Sequence, residues 1–87
     1  MQKELLLCDI KPGERARVKK ILTTGSMRRR LLDIGLINNT TVECVGKSPL
    51  GDPAAYLIRG AVIAIRREDS KNIIMWQQGG DGDGTDA

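Results

Sequence analysis

Residues 41–66 read TVECVGKSPLGDPAAYLIRGAVIAIR, and the punctuation of this stretch decides the architecture. Val42 and Cys44 alternate with Thr41, Glu43 and Val45, the period of two that marks a strand with one buried face. Pro49-Leu50-Gly51-Asp52-Pro53 then places two prolines and a glycine within five residues. Proline fixes its own φ and has no N–H to give a ladder, so this segment is a loop. Ala54–Arg59 resumes as a strand, Gly60-Ala61 reverses the chain, and Val62–Arg66 forms the next strand. Short strands with turn signals every few residues predict a mainly β protein, a small closed or partly closed barrel rather than parallel βαβ units.

The flanking sequence agrees. Leu5-Leu6-Leu7 forms an opening strand that Lys11-Pro12-Gly13 turns back. Arg15–Leu22 alternates Ala16 and Val18 against Arg15, Arg17 and Lys19, and its period slips at Lys20, as at a bulge. Ser26 is placed to cap a short helix through Ile34. On that helix Met27, Leu31 and Ile34 share a face that Leu32 widens, while Gly35 suits the left-handed residue that ends a helix and Leu36 folds back onto it. Asn38-Asn39 makes a turn, Arg67–Lys71 is a polar link with room for one helical turn, and Ile73–Trp76 closes the pattern as a strand. The expectation is five to six short strands with one short helix after the first long strand. The barrel is placed over residues 1–76, followed by a disordered acidic, glycine-rich tail over 77–87.

Composition narrows the function. Eighty-seven residues hold one domain, and the absence of histidine removes His-based general bases, catalytic triads and common zinc sites. Cys8 and Cys44 fit no metal or redox spacing and are read as reduced residues in or near the core. No apolar run approaches the roughly 20 residues of a membrane span. Glu4 and Asp9 flank the leucine run too closely for a secretory signal, so a cytoplasmic location is expected. The net charge is +3, but over residues 1–80 there are 14 basic against 8 acidic side chains, or +6. Between Arg15 and Leu32 the chain carries seven cations and no acid, predicting one electropositive end. No glycine-rich phosphate loop and no nucleophile beside a base is present, so a non-enzymatic role without a cofactor is expected.

Two segments carry specific information. Along SMRRRLLDIGL the three arginines point roughly 100° apart, so they do not form one phosphate clamp. Arg28 falls between the directions of Leu31 and Leu32, which predicts a packed stem and an anchored guanidinium, whereas Arg29 and Arg30 are read as solvated. In PLGDP, Leu50 lies at a tip that no strand buries, either as an apolar contact for a partner or folded back on its own barrel, and Asp52 is read as a local loop acceptor.

Pro12-Gly13, RRRLLDIGL, VECVGKSPLGDPAAYLIRG and IAIRRED, in that order over residues 5–76, resemble the ferrous iron transport protein A (FeoA) family. Asn38-Asn39 stands where that family usually has Pro-Gly. The resemblance implies an SH3-like barrel acting as an accessory to the membrane GTPase and permease that imports ferrous iron, with no metal site of its own. Docking on the permease's cytoplasmic domains would use Arg28, Leu32 and Leu36 of the helical segment with Leu50 and Asp52 of the loop. A weak homo-oligomer is compatible with this reading, and membrane insertion is not expected. The alternative is a small basic nucleic-acid-binding module, disfavoured because Tyr56 and Trp76 are the sole aromatics available for base stacking. A relative of the SH3-like domain of iron-dependent repressors would lack its helix-turn-helix.

Overall fold

A computed structural model of the chain describes residues 3–77. Six strands form one sheet: β1 (Glu4–Leu6), β2 (Arg15–Ile21), β3 (Thr41–Lys47), β4 (Ala54–Ile58), β5 (Ala61–Ile65) and β6 (Ile73–Gln77). Their order is β1-β6-β2-β3-β4-β5, and every neighbouring pair is antiparallel. The helices are α1 (Gly25–Asp33) and the single turn α2 (Arg67–Ser70), and a 3-10 turn at Leu7–Asp9 follows β1. The mainly β architecture with one short helix after the first long strand is as expected. Gln77 continues β6, and the rest of the anticipated tail, 78–87, lies outside the described residues.

Alternation builds the core. Ala16 and Val18 of β2, Val42 and Cys44 of β3, Tyr56 and Ile58 of β4, and Ile73 and Met75 of β6 are all buried, joined by Leu7, Leu31 and Leu36. The slip in β2 is a real bulge: Val18 pairs with Met75 and Lys20 with Ile74, leaving Lys19 as the extra residue. Lys19 uses this position to lie over the Trp76 ring, 4.6 Å from its centroid, and to pair with Glu4, which tacks β1, β6 and β2 together at the surface. A second shift in β3 leaves Val45 unpaired between Cys44 and Gly46.

Two details of the helix differ from expectation. The N-cap is Thr24, extended at φ −122°, not Ser26, which already lies inside the first turn; no side chain caps this end. Leu32 does not widen the buried face. It is 41% exposed because only the direction of Leu31, with Met27 and Ile34 beside it, meets the sheet. The C-terminus forms as expected: Gly35 adopts φ +95° and the Leu36 N–H donates to the Leu31 carbonyl at 2.9 Å.

Candidate partner-docking site

The segment between α1 and β3 is tied down by one hydroxyl. Thr40 Oγ accepts from the Ile37 N–H at 3.1 Å and donates to the Gly35 carbonyl at 3.2 Å. Asn39 takes φ 72°, and its N–H donates to the Val18 carbonyl at 2.7 Å, docking the turn on β2. With Leu36 drawn inward, its neighbour Ile37 is forced outward and is 54% exposed. Ile37, Leu32, Ile21, Lys20, Arg28 and Asn38 then line an open groove of about 470 Å³. Three apolar walls and two cations, with no carboxylate in the lining, make a surface suited to an apolar side chain beside an acidic group.

Arg28 is both wall and brace. Its Nη1 donates to the Ile21 carbonyl at 3.0 Å, joining α1 to the last residue of β2, while the side chain stays exposed and keeps further donors free. The guanidinium is anchored as expected from its angular position, but the packed stem is not seen, since the residue is exposed. Arg29 and Arg30 are exposed. The seven-cation run is divided: Arg15 starts β2 opposite Glu43, and Lys20 lies near the strand's other end beside Arg28.

At the far end of β3 lies the 48–53 loop. Leu50 is 94% exposed, so it does not fold back on the barrel. The loop is closed by Gly51 N–H donating to the Ser48 carbonyl at 2.7 Å and Ser48 N–H donating to the Pro53 carbonyl at 3.1 Å. Asp52 is not a local acceptor. Its Oδ1 takes the Arg67 N–H at 2.9 Å and so caps α2 from fifteen residues away.

The five anticipated contact residues therefore fall into three places. Arg28 and Leu32 share the groove, Leu50 and Asp52 share the loop, and β3 separates the two groups by roughly 20 Å at about 3.3 Å per residue. Leu36 is completely buried and supports the helix end from within, so it offers a partner nothing. Sequence reasoning missed Ile37, Ile21 and Lys20. The signal for Ile37 was present: two apolar residues in succession before an Asn-Asn turn must point in different directions, and only one can enter the core.

Among the described residues no three Cys, Asp or Glu side chains come together as metal ligands. No described helix is long and apolar enough to cross a membrane.

The FeoA domain family model matches residues 5–75. An Fe(2+) transport protein A/Fe(2+) transporter FeoB fusion protein of Porphyromonas gingivalis is 31% identical over 67 residues, which is 77% of this chain but 8% of that protein. The solution structure of the FeoA protein of Chlorobium tepidum superposes with a TM-score of 0.83 at 31% identity, covering 90% of this chain and 74% of that one. The zinc-complexed FeoA of Stenotrophomonas maltophilia, described as a procaryotic SH3 domain protein, gives a TM-score of 0.71 at 21% identity over 82% of this chain and 88% of that one, a likeness of fold. The family match spans nearly all of the described strands and the solved relatives share their SH3-like arrangement, so the chain belongs to the FeoA domain family.

Proposed function

We propose that the chain is a non-enzymatic, cytoplasmic docking module that binds the cytoplasmic part of a ferrous iron permease GTPase and regulates transport. The observation that carries this reading is the groove at the end of α1: an exposed apolar surface rimmed by Lys20 and Arg28 and held in shape by Thr40 and by Arg28 itself. The relative in which FeoA and FeoB are one polypeptide supports the choice of partner. Leu50 and its loop supply a second contact at the other end of β3.

The nucleic-acid reading is weaker on this geometry. Tyr56 is buried, Trp76 has Lys19 over its ring, and the basic run is split along β2, so stacking platforms and a continuous cationic track are both missing among the described residues.

The test is an NMR titration of labelled chain with the soluble GTPase domain of the permease. Shifts centred on Lys20, Ile21, Arg28, Leu32 and Ile37 are expected, and Leu32→Asp or Ile37→Asp should weaken binding at least tenfold without unfolding the chain, because both side chains are exposed. Silence of these amides at saturating GTPase domain and with the intact permease would remove the proposal.

A further inference from the structure

The two outer strands of the sheet are finished differently. At β1 the Gln77 N–H donates to the Lys3 carbonyl at 2.8 Å, so hydrogen-bonded pairs alternate from there and the N–H of Leu6 points outward. Asp9 Oδ2 accepts that N–H at 3.1 Å, and charged Glu4 stands at the other outward position of this three-residue strand. This edge is closed to further pairing.

At β5 the Arg59–Gly60 turn has both residues at positive φ, 49° and 85°. In such a two-residue hairpin the flanking pair, Ile58 with Ala61, exchanges both backbone hydrogen bonds. The register continues without a shift, so Tyr56 with Ile63 and Ala54 with Ile65 are bonded likewise. Val62 and Ala64 occupy the intervening positions, and the N–H and C=O of each face away from β4. Both residues are exposed, and among the described residues no turn, loop or cap hydrogen bond reaches these four groups. The strand reads AVIAI, with no charge, proline or bulge to discourage pairing.

We propose that this edge pairs with the same edge of a second copy, antiparallel about a two-fold axis at Ile63. In that register Val62 faces Ala64 of the second copy and Ala64 faces its Val62, so all four outward groups of each strand are satisfied reciprocally. Side chains match as well. Leu57 is in register with Val62, and Ala55 with Ala64, on the outer face of the sheet. Across the seam these become one unbroken apolar row: Leu57, Val62, then the second copy's Ala64 and Ala55. The cations at the strand ends do not oppose this. Arg66 comes opposite Gly60, and the Arg59 side chain lies against Gly35, where an added Cβ would sit 2.4 Å from its Cδ. The contact is small, well under the roughly 1,200 Å² of a stable interface, so the dimer is weak, with a Kd of about 0.1–1 mM.

This inference is independent of the transporter reading and is tested on the full chain by sedimentation equilibrium up to about 1 mM, with amide exchange at both ends of the concentration range. A concentration-dependent dimer is expected in which the Val62 and Ala64 amides gain protection. Val62→Lys and Ala64→Pro should each weaken dimerisation at least tenfold, and Leu50→Lys should leave it unchanged. Val62 is 61% exposed, so the lysine variant folds and the result stays interpretable. A chain that remains monomeric, or a dimer indifferent to both edge substitutions, overturns the proposal. Protection of Val62 and Ala64 that appears only on adding the GTPase domain also overturns it, assigning the edge to a partner strand instead.

Discussion

Tyr56 is the chain's single tyrosine and one of its most buried side chains, at 1% exposure. It lies on the inner face of β4, where its hydroxyl donates to the Leu7 carbonyl at 3.4 Å and so links the sheet to the 3-10 turn. Burial, reinforced by nearby Cys44 and only partly offset by the neighbouring Ser70 hydroxyl, pushes its pKa up to about 12 from 10.0. A raised folded-state value means that the stabilisation is fully present below pH 10 and is lost as pH rises from there through about 12. The total is on the order of 2–3 kcal/mol. Phenolate absorbance, which here reports one residue, should show no tyrosinate in the native protein until pH is well above 10, with ionisation accompanying unfolding. Tyr56→Phe should cost about 1 kcal/mol at neutral pH and make stability less sensitive to pH above 10. Tyrosinate forming at an ordinary pKa in the folded chain would contradict this account of the core.

At the scale of elements, α2 shows what one carboxylate does for a very short helix. Four residues cannot sustain a helix by propensity alone. Asp52 accepts the Arg67 N–H, and Thr23 Oγ donates to the Asp69 carbonyl at 3.2 Å, so both of its ends are held by other parts of the chain. Asp52→Ala should destabilise the chain by about 1 kcal/mol and speed amide exchange in both α2 and the 48–53 loop, while Asp52→Asn keeps an acceptor and most of the effect. Acceleration confined to the loop would show that the cap contributes nothing. Asp52 also marks the limit of what sequence conveys. Strand alternation, the β2 bulge and the Gly35 stop are local, each set by spacing or by one residue's allowed φ, and all were legible. The partner of Asp52 depends on residues brought together by the barrel, which no local pattern encodes. Arg28 lay between these cases: its angular position on α1 showed that it would be anchored, but not that the acceptor would be Ile21.

At the scale of the whole molecule, the seven residues of β3 hold the groove and the Leu50 loop at opposite ends of the barrel. The same strand pairs with β2 over Thr41–Glu43 and with β4 from Val42 to Lys47, so it acts as a stiff spacer of roughly 20 Å. A partner that touches both patches must therefore present two separate surfaces at that spacing, and each patch should contribute without influence from the other. The consequence is additivity. Leu32→Asp and Leu50→Asp, measured singly and together by calorimetric titration with the GTPase domain, should give binding losses that sum to within about 0.5 kcal/mol, as expected for sites well beyond 10 Å apart with no shared neighbours. The groove substitution should cost more, because Leu32 is one wall of a shaped cavity with cations beside it, whereas Leu50 is a lone side chain at a tip, 94% exposed in the free chain. A coupling energy of 1 kcal/mol or more would mean that binding brings the two ends together. That would require the 48–53 loop to leave Arg67, an outcome that loss of α2 amide protection in the complex would reveal directly.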